Sequence, residues 1–79
     1  MNIRIYTTNW CPDCHQGKRF LEEHQLPYDE FDIETDLWAA KFVQHANHGK
    51  RKVPTFDLDG RVFPCSPFSA QELKQKLGL

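Results

Sequence analysis

The feature that most restricts this chain is Cys11-Pro12-Asp13-Cys14, two cysteines three positions apart with a proline directly after the first. A disulfide across so short a loop removes little entropy from the unfolded chain, so the pair is a poor structural staple. The motif sits at a change of periodicity. Before it, Ile3, Ile5, Tyr6, Thr7 and Thr8 have the β-branched and aromatic bias of a strand over about residues 2–7. After it, Pro12 suits the first turn of a helix, and Phe20, Leu21 and His24 recur at helical spacing until Pro27, which predicts a helix over roughly residues 12–25. Cys11 therefore falls at the amino end of a helix, where unpaired N–H groups and the positive end of the macrodipole favour a thiolate. Cys11 is the expected nucleophile, reachable from solvent. Cys14, one turn further in and more buried, is the expected resolving thiol, placed to attack a mixed disulfide formed at Cys11.

The rest of the chain supplies a scaffold for that junction. Tyr28, Phe31 and Ile33 indicate a second strand over 28–33. Thr35 or Asp36 caps a second helix whose apolar positions Leu37, Trp38, Ala39, Phe42, Val43 and Ala46 recur at three- and four-residue intervals, closed by Asn47-His48-Gly49. Val53 to Leu58 and Arg61 to Phe63 flank Asp59-Gly60, a dipeptide suited to a two-residue hairpin turn. Ser69-Ala70-Gln71-Glu72 has the pattern of a capping box, and Leu73 and Leu77 supply an apolar stripe before Gly78. The order is βαβαββα. A parallel first pair with a right-handed crossover and a terminal antiparallel hairpin give an α/β fold: a four-stranded mixed sheet with helices on both faces, the thioredoxin-like architecture. With no repeat or linker, residues 1–79 are expected to form one domain.

Composition narrows the function. Ten Lys+Arg against eleven Asp+Glu leave a formal net charge of −1, without the basic excess of a nucleic-acid binder. No apolar run approaches the roughly 18–20 residues of a membrane span, and Met1 to Tyr6 lack the basic and apolar regions of an export signal. A cytoplasmic monomer is expected. Cys11 to His15 also satisfies the Cys-x-x-Cys-His pattern of haem attachment, but such attachment belongs to exported proteins and the only methionine is Met1. Zinc held by Cys11, Cys14, Cys65 and one of His15, His24, His45 or His48 lacks ligand spacing in its second half. A module using Cys11 for an iron–sulfur cluster or zinc stays open as the alternative, which colour and metal content would reveal. Asp13 is expected to point to solvent and support the helix, Trp10 to screen the dithiol, and Cys65 to be incidental. Phe20, Phe31, Phe42 and Phe56 are expected in the core, with Phe63 and Phe68 flanking a groove.

Val53-Pro54 is the second informative pair. A proline opening a strand indicates an edge, a strand start or a cis bond, and beside a dithiol the cis form is expected. It would turn the Val53 N–H and C=O toward an extended substrate segment.

These residues resemble the glutaredoxin family over essentially the whole chain: Tyr6 to His15, Tyr28 to Glu34, Arg51-Lys52-Val53-Pro54-Thr55, and Asp59-Gly60. Within it the chain is most similar to mycoredoxins, through Ala40-Lys41-Phe42-Val43 with Asn47 and Ser69 to Leu73, and next to the redoxins that feed ribonucleotide reductase. The resemblance implies a thiol–disulfide oxidoreductase with no bound cofactor, in which Cys11 attacks and Cys14 resolves. Glutathione or another low-molecular-weight thiol is the implied co-substrate, with disulfide-containing proteins and a thiol or thioredoxin-reductase-type donor as partners. Trp10, Pro12, Val53 and Pro54 would shape the substrate groove, Arg51 matches a basic position beside it, and Ser66 would donate to the same ligand. The chain departs from the family at Thr8, often a lysine, at Lys52, often a threonine, and at Pro64 to Phe68, which replaces the Gly-Gly-x-Asp segment that grips glutathione.

Overall fold

Alternation along the first strand decides the layering, because successive side chains of a strand point to opposite faces. A computed structural model describes residues 1–79. In β1 (Ile3–Thr7), Ile3 and Ile5 enter one core cluster and Tyr6 the other. The chain continues through α1 (Pro12–Glu23), β2 (Asp29–Asp32), α2 (Leu37–Ala46), β3 (Thr55–Leu58), β4 (Arg61–Pro64) and α3 (Ala70–Leu77), the expected βαβαββα order. The sheet order is β2-β1-β3-β4. β1 runs parallel to β2 and antiparallel to β3, and β3 antiparallel to β4, so β2 and β4 are the two edges.

Helices cover both faces. Phe20 and Leu21 of α1 and Leu73 and Leu77 of α3 pack with Ile3, Ile5, Phe56, Leu58 and Cys65 on one side. Ala39, Ala40 and Val43 of α2 pack with Tyr6 and Ile33 on the other. Helix α1 lies close to the sheet because Gly17 carries no side chain: a Cβ there would stand 3.0 Å from Phe56 Cζ and 3.5 Å from Ile5 Cδ1. This approach sets the height of the helix, and with it the position of Cys11, above the strands.

Element ends differ from the sequence reading for local reasons. Helix α1 stops at Glu23, capped by His24, because Gln25 takes a left-handed φ of 55° ahead of Pro27. Asp36, not Thr35, caps α2, its carboxylate accepting the Ala39 N–H at 3.1 Å. Strand β2 is trimmed to Asp29–Asp32 at both ends, and β3 begins at Thr55, leaving Val53 and Pro54 in the preceding loop. Strand β4 runs one residue further, to Pro64. The Asp59-Gly60 turn has positive φ at both residues, 54° and 95°, the conformation that joins tight hairpins. Only half of the expected capping box forms: Ser69 Oγ accepts the Glu72 N–H at 3.1 Å, while the Ser69 N–H meets Cys65 Sγ at 3.5 Å.

The apolar stripe of α2 is narrower than its spacing suggests. Leu37 and Trp38 are 64% and 80% exposed, and Phe42 rests its ring on Tyr6 at 4.9 Å with its outer side in water. A short helix lying on one strip of sheet seats Ala39, Ala40 and Val43, and the larger side chains turn outward. Phe31 is likewise only half-buried, stacked on Tyr6 at 5.2 Å. Phe20 and Phe56 are buried as expected.

Candidate active site

Cys11 is the N-cap of α1, with extended backbone at φ −91° and ψ 110°. Its sulfur takes the role usually played by a capping oxygen, accepting the Cys14 N–H at 3.1 Å. Pro12 follows as the first helical residue, where a missing N–H is no loss. An N–H aimed at sulfur from the first turn stabilises negative charge there. The Cys11 thiol in turn faces the Val53 carbonyl, 3.7 Å away across the chain.

Coverage of the two thiols differs from a simple exposed-and-buried pair. Cys11, expected to be reachable, is only 5% exposed, since its side chain folds back over the helix start and the Val53 loop closes the other side. Cys14 is fully covered, at 0%. Burial pushes the Cys14 thiol far above its ordinary range, and the hydrogen bond and charge of Cys11 add to the effect. The Lys18 charge and a Thr8 backbone contact oppose it. All three cysteines are free thiols.

The Val53-Pro54 peptide is cis, the form expected, and the loop that carries it is fixed from both sides. The Cys65 N–H donates to the Pro54 carbonyl at 2.9 Å. Thr55 Oγ1 donates to Lys52 O at 2.7 Å and accepts from Asn47 Nδ2 at 3.2 Å, and the same amide donates to Val43 O at 2.8 Å. A buried asparagine thereby ties the end of α2 to the loop that faces Cys11. Neither anchor is legible as such from spacing, although an Asn closing a helix ahead of a Val-Pro pair is visible in the sequence.

Cys11, Cys14, Pro12, Val53 and Pro54 thus come together. Trp10 stands beside them, 68% exposed, but its indole N–H is held by Glu34 Oε2 at 3.1 Å, a partner the sequence reading omits. Ser66 is exposed, follows Cys65 and precedes Pro67 through a second cis bond that the sequence reading does not anticipate. Arg51 is exposed and makes no ion pair. Asp13, expected in solvent, is half-buried and its charge reaches Cys65.

Cys65 does not join the dithiol. Its sulfur faces Ser69 O at 3.7 Å and Glu72 Oε1 at 3.8 Å, and burial, with the Glu72 carboxylate adding to it, raises its pKa. The tetrahedral zinc set of Cys11, Cys14, Cys65 and a histidine is not assembled, and no group of three or more His, Cys, Asp or Glu side chains is placed to hold a metal ion. His15, the haem-pattern histidine, has its Nε2 3.1 Å from Asn9 O, bracing the loop before Cys11.

Comparison with known proteins finds relatives across most of the chain. The glutaredoxin family model matches residues 3–63. A protein of Mycobacterium tuberculosis strain H37Rv provisionally named a glutaredoxin is 43% identical over 75 residues, covering 95% of this chain and 88% of its own. Mycoredoxin 1 of Corynebacterium glutamicum is 33% identical over 70 residues, 89% of this chain and 86% of the relative. The crystal structure of the thioredoxin-like protein BC3987 superposes with a TM-score of 0.75 at 32% identity, covering 94% of this chain and 97% of that one.

Proposed function

Because this chain belongs to the glutaredoxin family of thiol-dependent redox proteins, we propose that it is a dithiol disulfide reductase in which Cys11 attacks and Cys14 resolves. Its substrates are protein disulfides and mixed disulfides with low-molecular-weight thiols, and it works without a bound cofactor. The observation that carries this reading is the setting of Cys11 Sγ, between the Cys14 N–H at 3.1 Å and the Val53 carbonyl at 3.7 Å. One contact favours charge on the sulfur, and the other places it beside backbone that an extended substrate can pair with.

The chemistry balances in two displacements. Cys11, as thiolate, attacks one sulfur of a substrate disulfide, forming a mixed disulfide and releasing the other sulfur, which takes up a proton. Cys14 then loses its proton and attacks Cys11 Sγ, the substrate sulfur leaves as a second thiol, and the Cys11–Cys14 disulfide remains. Two electrons have passed to the substrate. Glutathione, another small thiol, or a thioredoxin-reductase-type enzyme restores the dithiol. Trp10 offers an exposed face for the substrate chain and half-buried Val53 forms the opposite wall, while Pro54, expected to line the groove, is fully covered and supports Val53 from beneath. Arg51 and Ser66 meet the polar groups of a small thiol.

Turnover of a glutathione mixed disulfide with glutathione and its reductase, and of a protein disulfide with thioredoxin reductase, tests this reading. Cys11→Ser is expected to abolish both. Cys14→Ser is expected to retain activity on the small mixed disulfide, where external thiol can resolve, and to lose the protein disulfide. Equal loss in both variants on the small substrate would overturn the assigned roles.

A further inference from the structure

The second displacement poses a problem that the first does not. Cys14 must give up its proton while fully covered, in surroundings that disfavour its charge. A compensating charge stands one helical turn away. Lys18 is four residues after Cys14 on α1, so the two side chains lie on one face of the helix. That face meets the sheet, because Cys14 is wholly buried and Lys18 reaches Glu30 on β2 at 3.0 Å. The same Glu30 oxygen accepts Thr7 Oγ1 of β1 at 2.7 Å, and Thr7 is itself 1% exposed. This is the only ion pair in the molecule, in a chain with many charges to pair.

We propose that Lys18 is a positioning residue for the resolving step, its ammonium held by Glu30, which Thr7 anchors in turn, so that Cys14 attacks the mixed disulfide as a thiolate. The inference rests on the dithiol reading above. The groups that bear on Cys14 are Cys11 and Lys18 from α1, with the Thr8 backbone from the loop before it. Glu30 acts through Lys18, and His15 lends positive charge to Glu30. Once Cys11 is joined to substrate its sulfur carries no charge and its thiol no proton, so its opposition to ionisation of Cys14 ends. The Lys18 charge persists, opposed then by burial but no longer by Cys11. In atoms, Cys14 releases its proton, its sulfur bonds to Cys11 Sγ, the bond from Cys11 to the substrate sulfur breaks, and that sulfur leaves to be protonated.

Stopped-flow reaction of the reduced, full-length chain with the aromatic disulfide bis(thionitrobenzoate) separates the two steps. The first coloured thiolate reports attack by Cys11 and the second reports resolution by Cys14, with Cys14→Ser marking any release that does not need it. For a partly screened unit charge at this range, Lys18→Met is expected to slow the second release about tenfold near neutral pH and raise its pH midpoint by about one unit. The first release should stay within about twofold, Lys18→Arg should restore the second, and Glu30→Gln should slow it in the same direction. An unchanged second release and pH midpoint in Lys18→Met, or equal slowing of both phases, overturns the assignment. Absence of any first release that Cys11→Ser removes would instead overturn the dithiol reading, and this one with it.

Discussion

Asn47 is a helix-terminal residue whose effect is felt at the dithiol. Its buried amide joins Val43 O to Thr55 Oγ1, and Thr55 in turn holds Lys52 O, two residues before Pro54. Asn47→Ala removes both hydrogen bonds of that buried amide and leaves Thr55 Oγ1 without its donor, while the backbone N–H of residue 47 still reaches Val43 O, so a loss of about 1–3 kcal/mol in unfolding free energy is expected, measured by urea denaturation. The same variant should reduce protein disulfides less well than small mixed disulfides, since only the former need the Val53 backbone held in line. Equal activity on both would separate the anchor from the substrate wall. Cys11, Cys14 and Pro54 are legible in the sequence because each has a chemistry tied to its position. Asn47, Glu34 and Lys18 are not, because their roles arise from partners on other elements that only folding brings near.

At the scale of elements, the seat of α1 depends on Gly17. A side chain there meets the Phe56 ring, which is fully buried, so ring or helix must shift to admit it. Gly17→Val is expected to cost roughly 1–3 kcal/mol through overpacking and a β-branched residue in a helix. The check is the urea midpoint, and a midpoint at or above that of the parent would show that α1 can lift off the sheet freely. The order βαβαββα is legible because strand and helix periods differ and because Pro12, Asp59-Gly60 and Ser69 punctuate them. The outward turn of Leu37, Trp38 and Phe42 is not, since spacing marks an apolar stripe without saying how wide a strip of sheet awaits it. The Ser69 N–H is similar: a sequence pattern offers Glu72 as its acceptor, and tertiary packing offers the Cys65 sulfur instead.

For the molecule as a whole, Glu30 couples folding to acid. Partial burial works against its charge, but the hydrogen bonds from Thr7 and Lys18 and the Lys18 charge prevail, holding its pKa below the ordinary carboxylate range. A carboxylate held low when folded adds stability above its unfolded-chain pKa of about 4.3, and that contribution fades as pH falls through the folded value. The melting temperature of Glu30→Gln is therefore expected to lie below that of the parent at neutral pH, with the gap closing in acid. A gap that is constant down to that range would remove Glu30 from the acid response. The same residue belongs to a strand with a second duty. β2 is one margin of the sheet and carries Asp29, Glu30 and Asp32, while β4, the other margin, ends in Pro64. Like charges along one rim and a missing donor on the other discourage a neighbouring chain from extending the sheet. In a concentrated stock, encounters between copies therefore find no ready seam to zip along at either margin of the sheet.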